Sequence, residues 1–310
     1  MRPDQAVTVR VPATSANLGP GFDAMGLALD LYDELTVAPA ERLTFTLSGE
    51  GSDDVPRDES HLVITTIRQG LVDLGHPDPH RGLHLSAHNV IPHSRGLGSS
   101  AAAIGAGLAC AWAMARPGVD LDREWLLDRS SRIEGHPDNA GAVVFGGAVL
   151  AWMDADQVGL VNLHLDPRIE AMVFVPAVSL QTAKARRVLP GTLRRSAVIN
   201  QASRAALLVH ALGGAPEHLW EATRDWMHQE QRASLMPESH RLRLRLRAAG
   251  VAAAVSGAGT TIIALGTPEQ LAMADEVDAA GFSVHRVKIG RGVHLVGASD
   301  WVPDSRAAIV

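Results

Sequence analysis

Between Pro92 and Ala103 the chain reads PHSRGLGSSAAA, a proline-bounded loop with two glycines and paired serines that passes into a long uncharged run. Such a stretch restricts everything around it. Gly96 and Gly98 admit backbone angles closed to other residues and let another group approach the main chain closely. The helix that the alanines favour presents unpaired N–H groups and a positive dipole end where the serines stand. Pro92, His93, Ser94, Arg95, Gly96, Leu97, Gly98, Ser99, Ser100, Ala101 and Ala102 therefore form a candidate phosphate cradle. Taken alone, the segment is equally an ordinary loop with a helix cap.

The run from Gly96 to Ala115 is uncharged over about a membrane-spanning length, but Ala, Gly and Ser make it too weakly apolar for a span. A chain of 310 residues with 46% hydrophobic content suffices for about two domains with buried cores. A formal charge of -6 argues against a general nucleic-acid binder. The basic run RLRLRLR at Arg241 to Arg247 lacks interleaved aromatics and reads as the solvated face of a helix. The single cysteine, Cys110, excludes a disulfide framework and a multi-cysteine zinc site. With no secretory pattern at the N-terminus, a reducing cytoplasm is the simplest compartment.

Val7, Val9 and Val11 alternate as a strand closed by Pro12, and the loop ATSANLGPGFDAMG offers Asn17 and Asp23 to a polar ligand before a second apolar segment, Leu27 to Val37. A strand at Arg42 to Ser48, an amphipathic helix at Leu62 to Leu74 and a strand over Leu83, Leu85 and Ala87 lead into the glycine loop and its helix. No third glycine follows at dinucleotide-fold spacing, and no GKS or GKT completes the other common phosphate loop. A helix at Glu124 to Ile133 runs into EGHPDN, where Glu134, His136, Asp138 and Asn139 crowd together. A His-x-Asp pair could ligate a transition metal, yet without further clustered ligands a carboxylate serving Mg²⁺ beside phosphates is favoured.

The second half reads as strands at Leu160 to Leu165 and Ala171 to Pro176, then a basic stretch with Thr182, Lys184, Arg186 and Arg187. Helices follow at Ser196 to Leu212, at Trp220 to Met236 with Arg232 near its end, and over Arg241 to Arg247. Val251 to Leu265 is strand, small-residue turn around Gly257 and Gly259, and strand. A helix at Pro268 to Ala280 and strands at Ser283 to Lys288 and Val293 to Val296 complete the pattern. The expected domains are 1–160 and 161–310.

PATSANLGPGFDAMGLAL, PHSRGLGSSAAA and VSGAGTT, in this order and spacing, resemble the three motifs of the GHMP small-molecule kinases. EGHPDN and TAKARRVLP narrow the resemblance to the homoserine kinases of threonine biosynthesis, over nearly the whole chain. The resemblance implies an α+β fold: an N-terminal domain like ribosomal protein S5 domain 2 and a C-terminal ferredoxin-like domain. It implies ATP, Mg²⁺ and transfer of the γ-phosphoryl group to the side-chain hydroxyl of L-homoserine. By position, Ser100 and Glu134 would hold Mg²⁺. Asn17 and Asp23 would take the acceptor's amino end, and Arg186 and Arg232 its carboxylate, with Thr182 beside them. His136, Asp138, Asn139 and Gly259 would line the same pocket, with Asn139 near the reacting hydroxyl. Ser100, Glu134 and Asn139 are thus the candidate catalytic residues. Mevalonate-type relatives carry an aspartate where Asn139 stands; an amide is no general base, so the hydroxyl proton would leave through the phosphate or solvent.

Two positions depart from the family's pattern. His61 replaces an asparagine near the adenine pocket, and Thr260 replaces a proline in the third motif, which should relax that loop. Competing readings are a GHMP kinase for another alcohol, mevalonate or shikimate, and a non-catalytic sensor. The expected partners are small molecules, with no nucleic acid and no membrane; family members are often homodimers.

Overall fold

The structure, a computed structural model, describes residues 6–155 and 157–297. The valine alternation at the start forms β1 (Val7–Asn17), which turns tightly into β2 (Gly21–Pro39). After β3 (Thr44–Gly49) come α1 (Leu62–Asp73) and β4 (Leu83–Asn89), and the glycine loop then releases α2 (Ser99–Ala115). This helix is buried along most of its length, which accounts for its uncharged composition: it packs inside the protein against α1 and β1. Among the described residues no helix is long and apolar enough to cross a membrane.

Asp122 caps α3 (Arg123–Glu134) by accepting from Trp125 N, and Gly135 ends it in the left-handed conformation. That stop lets Pro137 open α4 (Pro137–Phe145) two residues later, so Glu134 and Asn139 sit on facing helix ends. β5 (Ala148–Met153) and β6 (Val158–Leu163) close the first half.

The second half runs β7 (Glu170–Pro176), α5 (Thr182–Arg187), α6 (Arg195–Gly214), α7 (Leu219–Ala222), α8 (Gln229–Arg232), α9 (Pro237–Ala248), β8 (Ala252–Val255), β9 (Ile262–Gly266), α10 (Pro268–Asp275), β10 (Phe282–Val287) and β11 (His294–Leu295). RLRLRLR is helical as expected, inside α9. The single helix expected over Trp220 to Met236 is instead broken. Asp225 accepts from the backbone N–H groups of Met227, His228 and Gln229 and from Gln201 Nε2, so the chain turns between α7 and α8. The last helix stops at Asp275 rather than Ala280, and the final strand shortens to two residues.

Strands β11-β1-β2-β4-β3 form one sheet, with β5 added to β2 and β6 to β5; only β3 and β4 are parallel. The second sheet has the order β10-β7-β9-β8 and is antiparallel throughout. With helices between β7 and β8 and between β9 and β10, this is the ferredoxin-like layout. Alternation within β7 buries both of its faces. Val173 and Val175 join the main core with α6, while Met172 and Phe174 pack with Leu242 and Leu246 of α9. Because β6 pairs with β5 along Val158 to Leu163, a division at residue 160 would cut a strand of the first sheet. We propose that it falls in the connection 164–169; β11 crosses back to the first sheet, and residues 298–310 lie outside the described residues.

Candidate active site

The three glycine-rich loops are hydrogen-bonded into one unit. Thr14 N donates to Leu97 O, Gly257 N to Ala16 O and Thr261 N to Arg95 O, each at 3.0 Å. The Ser256 hydroxyl bridges Gly96 O at 2.6 Å and Ser15 Oγ at 2.8 Å. Thr260, expected to relax the third loop, tightens it, because its hydroxyl donates to Val178 O at 2.6 Å.

Gly98 is the N-cap residue of α2 with φ 70°, and a Cβ there would lie 1.9 Å from Thr14 Oγ1. That close approach places Thr14 where its hydroxyl donates to Asn139 Oδ1 at 2.8 Å. With its oxygen engaged, Asn139 offers its NH₂ as a donor. Ser100, in the first turn of α2, donates to Glu134 Oε2 at 3.0 Å. Burial raises the Glu134 pKa, opposed by the His136 charge and the Ser100 hydroxyl. Two hard oxygens, one on a desolvated carboxylate, suit a magnesium ion.

A cleft opens over these residues, lined among others by Asn17, Asp23, Ser94, Thr182, Arg186 and Arg232 together with Glu134, His136, Asp138 and Asn139. His136 Nδ1 lies 2.6 Å from Asp138 Oδ1. Burial works against the imidazolium, but the hydrogen bond and charge of Asp138, with Glu134, raise the His136 pKa overall. Asp23 and Arg186, expected at opposite ends of a ligand, meet each other: Nη1 and Nη2 fork onto the two carboxylate oxygens at 2.9 and 2.7 Å. Hydrogen bonding to Asp23 accordingly raises the Arg186 pKa.

Arg232 is almost fully buried, donating through Nε to Ala185 O and through Nη1 to Gly257 O. Burial and then the Arg186 charge lower its pKa to about 10. Asn17 is a clasp: its NH₂ donates to Gly257 O at 2.8 Å and its Oδ1 accepts from Asp23 N at 3.0 Å. The ligating atoms of Asp23, His136 and Asp138 lie within 4.8 Å of one another, a third ligand that sequence spacing alone lacked. Arg186 and the His136–Asp138 bond already engage these groups, which makes the cluster a neutralised ion network rather than an open metal cage.

Several sequence-selected residues lie elsewhere. Leu97, Ala101 and Ala102 are core. Pro92 and Arg95 face another surface, where Arg95 donates to Pro176 O and Ala177 O. Gly259 packs against Met236 and is absent from the cleft lining. Sequence reasoning missed Thr14 and Phe22. The Phe22 ring meets two guanidiniums, its centroid 5.7 Å from that of Arg186 and 5.5 Å from that of Arg232. Both sit inside the first glycine-rich motif, which was the available signal. His228 was missed too: Nε2 donates to Gly19 O at 2.7 Å and Nδ1 faces Arg232 at 3.3 Å.

A second cavity shares Ser94, Ser99 and Ser100 with the cleft and continues between Leu35, Val55, Pro56, Val63, Ala87 and Ala103. His61 borders it, capping α1 by accepting from Val63 N at Nδ1 and resting against Phe45 with centroids 5.4 Å apart. A polar cleft joined to an apolar slot across a serine-rich helix start has the form of a nucleotide site with an acceptor pocket.

The chain belongs to the GHMP kinases: residues 61–147 match the family model described as the GHMP kinases N terminal domain, and residues 204–281 the one described as GHMP kinases C terminal. Over 294 residues it is 55% identical to a homoserine kinase of Cutibacterium acnes, covering 94% of this chain and 99% of the relative. It is 48% identical to a homoserine kinase of Streptomyces coelicolor, covering 88% of each. Within the GHMP kinases, this protein is a member of the homoserine kinase family. A solved homoserine kinase from Cytophaga hutchinsonii superposes with a TM-score of 0.80 at 26% identity, over 94% of this chain and 97% of that one. Mevalonate diphosphate decarboxylase from Enterococcus faecalis, at a TM-score of 0.64 and 14% identity over 94% and 98%, shares the fold. The architecture is that of a GHMP kinase, with a first domain like ribosomal protein S5 domain 2 and a ferredoxin-like second.

Proposed function

We propose that this protein transfers the γ-phosphoryl group of ATP to the side-chain hydroxyl of L-homoserine, giving O-phospho-L-homoserine and ADP in threonine biosynthesis. The observation that carries the reading is the junction of the two chambers: the Ser100–Glu134 pair stands between the serine-rich start of α2 and a pocket holding both carboxylate and guanidinium groups. A zwitterionic amino acid needs both. Mevalonate and shikimate carry no amino group for Asp23.

Phosphoryl transfer through a loose transition state asks for alignment and charge stabilisation more than for a base. The N-terminus of α2 stabilises the phosphates, and Ser100 and Glu134 would hold Mg²⁺, which when bound neutralises phosphate charge. Arg232, steadied by its backbone partners, orients the acceptor carboxylate, and Asp23 turns from Arg186 alone to sharing the ammonium group. Asn139, its oxygen taken by Thr14, donates from its NH₂ toward the reacting oxygens and leaves the hydroxyl proton to the phosphate or solvent. The reading includes a cytoplasmic location and a homodimer, the latter checked by sedimentation of the purified chain.

The test is ADP release with Mg-ATP against homoserine, mevalonate, shikimate and galactose. Turnover with homoserine alone is expected. A rate with homoserine no higher than without acceptor overturns the proposal and favours a non-catalytic sensor.

A further inference from the structure

We propose that Asp33 selects the nucleotide by accepting a hydrogen bond from an exocyclic amino group of its purine. The inference rests on the use of the apolar slot by the nucleotide proposed above. Asp33 lies on β2 two positions before Leu35, and both line the slot. It is 6% exposed. Its Oδ1 accepts from Val90 N at 2.6 Å and from Ile91 N at 2.9 Å, which uses both lone pairs of that oxygen. Oδ2 has no hydrogen-bond partner among the described residues. That oxygen opens onto the slot, so a largely desolvated carboxylate keeps one acceptor position for the group that fills it.

The slot's other walls narrow the choice. Leu35, Val55, Pro56, Val63 and Ala87 have no side-chain donor or acceptor, Ser60 donates to Asp58 Oδ1 and Asn89 Nδ2 to Glu50 O, and His93 is a further polar wall. His61 has already spent Nδ1 on its helix cap. The unpaired oxygen of Asp33 accepts from a purine N–H and repels a carbonyl oxygen presented at the same point. Burial, with the Glu50 charge adding to it and the two backbone N–H groups opposing it, moves the Asp33 pKa up to about 7. At pH 8.5 the carboxyl is therefore ionised and acts as an acceptor.

Asp33→Asn gives this role a distinctive signature. Val90 N and Ile91 N continue to demand an oxygen, so the amide keeps Oδ1 on them and turns its NH₂ to the slot. The acceptor becomes a donor. Loss of a merely structural group would weaken all nucleotides alike; this substitution reverses a preference.

The experiment is calorimetric titration at pH 8.5, without acceptor, with ADP, purine riboside 5′-diphosphate (which lacks the amino group), inosine 5′-diphosphate (which carries an oxo group there) and 2′-deoxy-ADP. The natural protein is expected to bind ADP about tenfold or more tightly than the purine riboside diphosphate. Asp33→Asn is expected to abolish that preference and to bind the inosine nucleotide at least as well as ADP. Asp33→Ser, which keeps an oxygen for the backbone but none for the slot, should lose the preference without the inosine gain, and covers the case in which the amide variant does not fold. An unchanged ADP preference in the folded variant overturns the inference, as does an effect confined to 2′-deoxy-ADP, which would mean that Asp33 meets the sugar. Because no acceptor is present, failure here leaves the homoserine assignment standing; absence of nucleotide binding to the natural protein would overturn both.

Discussion

At Gly98 the backbone takes φ 70° and leaves no room for a Cβ beside Thr14, so this one residue sets both the start of α2 and the position of the Thr14 hydroxyl on Asn139. Gly98→Ala is expected to cost about 1–3 kcal/mol in urea unfolding and to lower kcat, since the added methyl displaces Thr14. Glu134→Gln should lower kcat about a hundredfold or more, given its place beside Ser100. Near-normal turnover at limiting Mg²⁺ would remove Glu134 from the metal's ligands. Asp33 carries a pH signature. Its folded pKa, about 7, stands above the ordinary 3.8, so the folded protein binds the extra proton between those values. No penalty exists below about pH 4; it grows as pH rises and is complete above about pH 7. His61 and His93 border the same slot with pKa values lowered chiefly by burial, and their contribution rises with pH instead. Comparing the natural protein with Asp33→Asn cancels them. The Tm difference, variant minus natural, is expected to increase from pH 5 to pH 8, and a flat difference would contradict the buried ionisation.

Among the elements, the break between α7 and α8 does most for the cleft proposed to hold the acceptor. The Asp225 side chain is fully buried and gathers three successive backbone N–H groups and Gln201. That turn delivers His228 to Gly19 and Arg232 to Gly257. Asp225→Ala is expected to destabilise by about 3 kcal/mol or more and to raise KM for homoserine more than KM for ATP. Equal effects on the two substrates would place the turn's influence on the whole molecule. The break was not legible locally, because Trp220 to Met236 has helical spacing and an aspartate in mid-run is no strong stop. What decides it is tertiary: the first loop presses on Thr223, where a Cβ on Gly19 would lie 2.4 Å from the carbonyl oxygen. By contrast α1, α2 and α9 were legible, since periodicity or composition over many residues outweighed local ambiguity.

Over the whole molecule, two sheets share a core and three distant loops, near residues 17, 97 and 258, close on one cleft. The cleft's lining was readable in part, because its polar residues lie in the stretches that resemble the GHMP motifs, whereas Leu97, Ala101 and Ala102 of the same stretches are core. The pairing was not readable. Asp23 and Arg186 are 163 positions apart and Thr14 and Asn139 are 125 apart, so only the fold shows that the first two neutralise each other and the second two fix an amide. Arg232 shows the same limit: the family resemblance implied a carboxylate grip, whereas its hydrogen bonds also make it a brace between Ala185 and Gly257. The most direct test of the central claim is phosphorus NMR of the reaction of Mg-ATP with L-homoserine. A new phosphomonoester on homoserine, growing in step with ADP, is the expected result; inorganic phosphate alone, or no change from the reaction without acceptor, would contradict it.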